Sequence, residues 1–317
     1  MKLRPSVALQ FLGVCIVAAK THYRPVVLYH GLGDTSESKG MTQLKETLET
    51  ELPGVYVKSI RIGNTESEDR DYTFIDNVNR QIDEVCEALA DDDKLFDGFN
   101  AIGFSQGGLF LRGYIERCND PPVHNLITFG TPHSGIAEIP NCPSDKTDIT
   151  CQVARGLIGR GAYLSFVQER VVQAQYYKNP KELEFYLKAS IFLADINNER
   201  DVKEPSYAVN MESLNKLVMV QFLNDTTVVP KETAWFGFYL DGEEGITAGL
   251  RDLPIYKEDW IGLKKLDKAK KLEFLDTEGG HMQFTIEFFI EKIVPYLSEP
   301  ILVAAHHNSE DLLVDQN

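Results

Sequence analysis

The residue best suited to covalent chemistry is Ser105, which lies in the sequence Gly103-Phe104-Ser105-Gln106-Gly107. A G-x-S-x-G pattern is typical of a serine held on a sharp turn between a strand and a helix. The two glycines leave room across such a turn. The helix that follows directs free backbone N–H groups at a developing negative charge. The motif therefore predicts that Ser105 is the nucleophile of an acyl-transfer reaction.

A serine hydroxyl needs a base to remove its proton, and in chains with this motif an acid and then a histidine follow the serine. The histidines after Ser105 are His124, His133, His281, His306 and His307. His124 and His133 flank the next predicted strand, while the last two lie in a polar C-terminal segment. His281 ends the glycine-rich run Glu278-Gly279-Gly280-His281 after the last predicted strand. The position of His281 and the order of the residues favour His281 as the base. The alternative is that His281 is an ordinary histidine of a surface loop.

The acid must lie between Ser105 and His281. Asp225 ends the run formed by the apolar residues 217–223 and Asn224, whereas Asp195 falls inside the predicted helical insertion and Asp276 is a third candidate. We predict that Asp225 orients the imidazole. Asp225 is also the middle residue of the glycosylation sequon Asn224-Asp225-Thr226. Adjacent side chains of an extended segment point in opposite directions, so a glycan outward and a carboxylate inward are compatible.

An oxyanion hole requires two backbone donors near the serine. Gln106 follows the nucleophile directly and is predicted to supply one N–H group. The second is expected from the loop His30-Gly31-Leu32-Gly33-Asp34, after the first predicted strand, with Leu32 as the donor.

Strands must place these residues together. Apolar runs predict strands at 26–30, 55–60, 99–104, 125–129, 217–223 and 272–275, with amphipathic helices between the early ones. This alternation specifies a mostly parallel sheet with helices on both faces. Together with the order serine, aspartate, histidine it predicts an α/β-hydrolase fold spanning residues 20–298, followed by a tail at 299–317. A helical insertion at about 136–215 is expected over the carboxyl ends of the strands.

The N-terminus carries Lys2 and Arg4 before an apolar run at 7–19, which predicts a signal peptide over residues 1–19. The alternative is a buried first helix. Four cysteines remain after Cys15 is removed: Cys86, Cys118, Cys142 and Cys151. The short spacing of Cys142 and Cys151 favours a bridge between them, which leaves Cys86 with Cys118. Four buried thiols are the alternative, and neither a metal site nor an organic cofactor is indicated.

The formal net charge of −16 provides no electrostatic footprint for nucleic acid or for anionic lipid surfaces. No segment is long and apolar enough to predict a stable membrane span. Oligomeric state is not indicated by any pattern in the chain.

Several stretches resemble the lysosomal palmitoyl-protein thioesterases, namely residues 30–34, 100–111, 167–174, 190–200, 222–225, 235–239 and 277–281. The resemblance implies hydrolysis of long-chain acyl thioesters on the cysteines of S-acylated proteins. It also implies that the protein travels through the secretory pathway to a lysosome or vacuole, with secretion from the cell as the alternative. The family's catalytic triad falls on Ser105, Asp225 and His281, its oxyanion donors on Leu32 and Gln106, and two of its disulfides on Cys86–Cys118 and Cys142–Cys151. The chain departs from it at Thr35-Ser36, where animal members carry adjacent cysteines, and at residues 130–133.

Two other functions fit the same motif: a secreted lipase or carboxylesterase, and a non-catalytic binding protein on the hydrolase fold. A thioesterase or a lipase that acts on a long acyl chain needs an apolar groove to bind that chain. The insertion offers Leu157, Ile158, Leu164, Phe166, Val167 and Val171 as candidate lining residues.

Overall fold

The structure, a computed structural model, describes residues 22–138, 159–240 and 245–301. Within these ranges a central sheet contains six strands, every neighbouring pair of which is parallel. The strands of the described chain are β1 His22–Tyr23, β2 Val26–Tyr29, β3 Val57–Ser59, β4 Phe99–Phe104, β5 Val123–Phe129, β6 Lys216–Phe222, β7 Phe238–Tyr239, β8 Thr247–Ala248, β9 Leu272–Thr277 and β10 Pro300–Ile301. The central sheet has the order β3-β2-β4-β5-β6-β9.

This order places a topological switch point in the sheet. The chain passes from β2 to the edge strand β3, returns across β2 to β4, and then proceeds strand by strand to β9 at the opposite edge. Ligands of open parallel sheets bind beyond the carboxyl ends of the strands at such a point. The ends of β2 and β4 are therefore where a site is expected.

Helices cover both faces of this sheet. The α-helices of the described residues are α1 Lys39–Glu51, α2 Glu66–Tyr72, α3 Val78–Ala90, α4 Gln106–Arg117, α5 Ser165–Gln168, α6 Leu183–Ala189, α7 Leu193–Ile196, α8 Pro205–Glu212, α9 Pro254–Lys257, α10 Leu263–Lys268 and α11 Ile286–Lys292. Alternate residues of a strand face opposite sides. Accordingly Val26 and Leu28 pack in one core with α1 and α11, while Val27 and Tyr29 pack in a second core with α3 and α4. The predicted α/β-hydrolase fold is confirmed.

Local sequence explains where the elements agree with the predictions and where they differ. Strand β4 spans the predicted 99–104, since all of its residues are buried. Helix α4 begins at Gln106, whereas the apolar pattern predicted a start near 109. The first turn of the helix contains two glycines, which add no apolar side chains to the pattern. Helix α2 was not predicted, because Asp69 is its only buried residue and no apolar stripe marks it.

The segment between β5 and β6 contains short helices in its described part, from residue 159 onward. Strand β1 pairs antiparallel with β10, so strand pairing in the described chain extends to Ile301, inside the predicted tail. The predicted signal peptide, Cys142, Cys151, Leu157, Ile158, His306, His307 and most of the predicted tail lie outside the described residues. Among the described helices, none has the length and apolar character needed to cross a bilayer.

The predicted bridge between Cys86 and Cys118 is present, with the two Cα atoms 6.2 Å apart. It joins α3 to the residue that ends α4, the helix behind Ser105. The disulfide therefore fixes two helices of the same face to each other.

Removing this bridge tests its contribution to stability. With 32 residues of sequence separation, the chain-entropy model gives a loss of about 3–4 kcal/mol. We expect the free energy of unfolding of a Cys86→Ser/Cys118→Ser variant to be lower by that amount than that of the oxidised wild-type protein. Urea denaturation measures the difference, and the midpoint of the variant should shift to lower urea concentration. A wild-type sample kept in reductant should match the variant, and an unchanged midpoint in both would contradict the prediction.

Candidate active site

Ser105 occupies a strained turn between β4 and α4. Its backbone dihedrals are φ 53° and ψ −125°, a region that a residue with a side chain rarely adopts and that marks sites of function. The turn closes only because of its glycines. A Cβ atom at Gly103 would lie 2.2 Å from the Cα atom of Gly108, and one at Gly107 would lie 2.3 Å from the carbonyl oxygen of His30. The backbone thus exposes the Ser105 hydroxyl at the carboxyl edge of the sheet.

Three side chains from distant parts of the chain form one hydrogen-bonded row. The Nε2 atom of His281, in the loop after β9, lies 2.9 Å from Ser105 Oγ. Its Nδ1 atom lies 2.6 Å from Asp225 Oδ2. Because the carboxylate can only accept, Nδ1 carries the ring proton and Nε2 is left to accept the serine proton. The other oxygen, Oδ1 of Asp225, accepts the backbone N–H groups of Thr227 and Val228 at 2.8 and 3.0 Å.

Burial separates the two neighbours Asn224 and Asp225. Asp225 is only 8% exposed, while Asn224 is exposed to solvent. The carboxylate is directed into the site, while Asn224 lies on the surface in the turn that follows β6, where the Asp225 N–H donates to the Phe222 carbonyl at 3.2 Å. A glycan on Asn224 is sterically compatible with the row of side chains.

The other candidate acids lie elsewhere. Asp195 Oδ2 accepts from Arg117 Nη2 at 2.6 Å and from the Tyr207 hydroxyl at 2.9 Å, on α7. Asp276 is exposed on β9. Neither carboxylate takes part in the row that contains Ser105.

The remaining described histidines also lie apart from the serine. His124 is near Glu299, with its Nε2 3.4 Å from the carboxylate. His133 is fully buried and stacks on Phe236 with ring centroids 4.3 Å apart. Burial, together with the positive charge of Arg112, holds the pKa of His133 well below its usual value, so this ring is neutral.

The loop after β2 presents the N–H group of Leu32. The carbonyl oxygen of Gly31 accepts from His30 Nδ1 at 3.0 Å and from the Asp34 N–H at 3.3 Å. In a trans peptide the C=O and the N–H point in opposite directions, so the Leu32 N–H is turned away from these partners. Within the described chain it donates to no protein acceptor. Leu32 and Ser105 line the same cleft.

A buried carboxylate that the sequence did not reveal holds this loop. Asp69 Oδ1 lies 3.1 Å from His30 Nε2 and accepts from the Ile62 N–H at 2.9 Å, while Oδ2 accepts from the Ser36 N–H at 2.8 Å. Burial raises the pKa of Asp69, but the His30 contact and the two backbone N–H groups outweigh it, and the pKa falls below its usual value. The carboxylate therefore stays ionised in the fold.

A cleft of about 580 Å³ opens at Ser105 and His281, a volume within the range of about 300–1,000 Å³ typical of small-molecule sites. Its walls come from the loop after β2, from α1 and from the loop that contains His281, with further residues from the segments after β5 and β6. The apolar side chains along it include Met41, Leu44, Ile136, Val228, Phe284 and Ile286.

The predicted lining of the groove is wrong for the residues that the structure describes. Leu164 and Phe166 are 50% and 65% exposed, and neither Val167 nor Val171 lines the cleft. The insertion contributes Gln173 and Tyr176 instead. Helical spacing alone did not distinguish side chains that face the cleft from those that face solvent.

Comparisons with known proteins place the chain in a family. The family model described as palmitoyl protein thioesterase matches residues 25–281. Palmitoyl-protein thioesterase 1 of Caenorhabditis elegans is 44% identical over 271 residues, which cover 85% of this chain and 90% of that protein. The chain belongs to the palmitoyl protein thioesterase family.

More distant members of this thioesterase family match over similar lengths. Palmitoyl-protein thioesterase 3 of Dictyostelium discoideum is 38% identical, covering 90% of this chain and 95% of that protein. A lysosomal thioesterase PPT2 homolog of Drosophila melanogaster is 30% identical, covering 86% and 90%. The region matched by the family model, residues 25–281, includes Ser105, Asp225 and His281.

Asp69→Asn tests the buried carboxylate of the loop. Removing one partner of a buried pair should lower the free energy of unfolding by about 3 kcal/mol at neutral pH. Because the folded pKa of Asp69 is depressed, its contribution is complete above about pH 4, the range of an unfolded aspartate, and is lost as the pH falls through the folded value. Urea denaturation at several pH values measures the difference between variant and wild type.

The control is Asp71→Ala, which removes an exposed charge from the same helix. It should change the stability by less than about 0.5 kcal/mol. A difference between Asp69→Asn and wild type that stays constant down to pH 2 would show that the ionised carboxylate is not what stabilises the loop.

Proposed function

We propose that the protein is a serine thioesterase that removes long-chain fatty acyl groups, such as palmitoyl, from cysteine residues of proteins. Ser105 is the nucleophile, His281 the general base and Asp225 the residue that orients the histidine. The proposal rests above all on the hydrogen-bonded row of these three side chains at an apolar cleft. Membership of the thioesterase family supports the substrate class.

The first half of the reaction forms an acyl-enzyme. Ser105 Oγ attacks the thioester carbonyl while its proton passes to His281 Nε2. The carbonyl oxygen becomes negative and accepts hydrogen bonds from the N–H groups of Leu32 and Gln106, at the positive end of α4. The C–S bond then breaks, the protein thiol leaves with the proton from His281, and the acyl group stays on Ser105.

The second half releases the fatty acid. A water molecule attacks the acyl carbon while His281 takes its proton, the bond between the acyl carbon and Ser105 Oγ breaks, and the proton passes from His281 to Oγ to restore the hydroxyl. Because a thiolate is a good leaving group, the histidine matters more for activating serine and water than for protonating sulfur. Asp225, held by two backbone N–H groups, stabilises the imidazolium that forms in each half.

The apolar cleft is suited to the acyl chain, because a hydrocarbon chain gains free energy when its surface leaves water. The same machinery also acts on oxygen esters in principle, so a lipase or carboxylesterase is the competing function. The apolar walls do not distinguish a thioester from an ester. Relative turnover of the two substrates makes the distinction.

We further propose that the protein works in the lysosome or an equivalent vacuole. A relative in the same family is named as lysosomal. The predicted signal peptide at 1–19 and the exposed sequon at Asn224 agree with the secretory route, and a second bridge between Cys142 and Cys151 is expected there.

Turnover of matched substrates tests the function. We expect release of fatty acid from a palmitoyl-cysteine peptide to be much faster than from the palmitoyl-serine analogue, and Ser105→Ala to abolish both because no nucleophile remains. Faster ester hydrolysis that still needs Ser105 would assign the protein to the lipases. Failure of the folded wild-type protein to cleave either substrate would exclude the proposed activity.

The choice of acid is tested with two matched variants. Asp225→Ala should lower kcat by about 10⁴-fold, since the imidazole loses its orienting carboxylate. Asp195→Ala removes a carboxylate of similar size that contacts Arg117 and Tyr207, and should leave kcat within about twofold while costing some stability. Alanine is used because asparagine at 225 would create a second sequon. A large loss in Asp195→Ala with full activity in Asp225→Ala would reverse the assignment.

A further inference from the structure

Thr73, at the end of α2, contacts the loop that carries the Leu32 donor. Its hydroxyl accepts from the Gly33 N–H at 2.9 Å and donates to the Arg70 carbonyl at 2.6 Å. The side chain is buried, and the donated bond fixes the direction of the hydroxyl proton. The Oγ1 lone pair is thereby directed at the peptide next to the Leu32 N–H.

The backbone carbonyl of the same residue contacts the other donor. Thr73 O accepts from the Gln106 side-chain Nε2 at 3.3 Å and from Gln173 Nε2 at 2.9 Å. Gln106 Oε1 in turn accepts from the Tyr176 hydroxyl at 3.0 Å. Gln106 is 2% exposed, so both ends of its amide are held inside the protein. One residue, Thr73, therefore connects the loop after β2, the first residue of α4 and the insertion.

We propose that Thr73 and Tyr176 are positioning residues that fix the spacing of the two oxyanion donors, the N–H groups of Leu32 and Gln106. The inference rests on the proposed function and deepens it. In the described chain, neither Thr73 nor Tyr176 forms a hydrogen bond with Ser105 or His281. They act through Gly33 and through the Gln106 side chain, and Tyr176 makes the insertion part of the catalytic geometry.

The physical reason is preorganisation. Donors that are already aimed at the developing oxyanion cost no reorganisation during the reaction, and small misplacements of such groups are expensive in rate. Leu32 and Gln106 are 74 positions apart in the sequence. Among the described residues, no backbone hydrogen bond joins the loop at residues 31–34 to Gln106. A common anchor keeps their spacing constant.

A pair of tyrosines in the same insertion provides a matched comparison. Tyr176 and Tyr163 are both buried, at 4% and 7% exposure, and each hydroxyl makes a hydrogen bond. The Tyr163 hydroxyl accepts from the Asn179 N–H at 2.9 Å, away from both donors. We expect Tyr176→Phe to lower kcat roughly tenfold with KM within about twofold, and Tyr163→Phe to leave both constants unchanged. Thermal unfolding of both variants measures any general loss of stability.

A second pair of variants addresses the threonine. Thr73→Val keeps the shape of the side chain but removes its acceptor, and should lower kcat by roughly 10- to 100-fold. Thr73→Ser keeps the hydroxyl and should restore most of that loss. Equal kcat in Thr73→Val and Thr73→Ser, or equal losses in the two tyrosine variants, would reduce the network to a structural role and overturn the inference.

Phosphonylation of Ser105 by an alkyl fluorophosphonate separates this inference from the proposed function. In that reaction the Oγ–P bond forms, the P–F bond breaks, fluoride leaves and the serine proton passes to His281, with negative charge developing on the phosphoryl oxygen. No thioester is needed. The rate should fall in Tyr176→Phe and Thr73→Val as kcat does. Absent thioester turnover in wild type overturns the proposed function, whereas unchanged phosphonylation rates in both variants overturn the positioning role.

Discussion

At the carboxyl ends of β2 and β4, the first turn of α4 passes so close to the end of β2 that a Cβ atom at position 107 would lie 2.3 Å from the His30 carbonyl oxygen. This contact between backbones brings together the start of α4 and the loop after β2. It also forces the left-handed conformation of Ser105, which lifts the hydroxyl out of the sheet. The orientation of the nucleophile and the position of both proposed oxyanion donors depend on this one close approach.

Buried polar groups hold the elements that meet there. The fully buried Arg112 of α4 donates to the His133 carbonyl at 3.0 Å and to Asn197 Oδ1 at 2.7 Å. These bonds connect the helix to the loop after β5 and to the insertion. It also pairs with Glu116 at 3.0 Å. Burial raises the pKa of Glu116 to about 8 in spite of this pairing. Among the described residues Arg112 Nε and Glu116 Oε2 have no hydrogen-bond partner, so the network fixes α4 through the bonds to His133, Asn197 and Glu116 but is not fully satisfied.

The cleft and the catalytic row are consistent with membership of the thioesterase family. In the proposed reaction the row carries out acyl transfer, and the cleft provides apolar surface for the acyl chain. The insertion approaches this site through Gln173 and Tyr176, whereas the exposed apolar side chains of its first turns face away from the cleft.

Much of the site was predictable from the sequence, because the relevant signals are local. The glycines around Ser105 indicate a tight turn, the mostly apolar sequence of β4 indicates burial on both faces of the sheet, and the alternation of strands and helices indicates a parallel sheet. The order of serine, aspartate and histidine then restricted the partners to a few candidates. Asp69, Thr73 and Tyr176 were missed, because a polar residue buried by distant neighbours looks like a surface residue in the sequence.

The sequence by itself determined the strand–turn–helix around Ser105, the parallel sheet and a short set of possible acids and bases. Only the tertiary structure brought His281 to Ser105 across 176 residues, placed Asp225 rather than Asp195 behind the imidazole, and lined the cleft with α1 and the loop after β2 as well as with Gln173 and Tyr176 of the insertion. The physical reason is range: hydrophobic periodicity and turn chemistry act over a few residues, whereas a hydrogen-bonded row depends on how whole elements pack against each other.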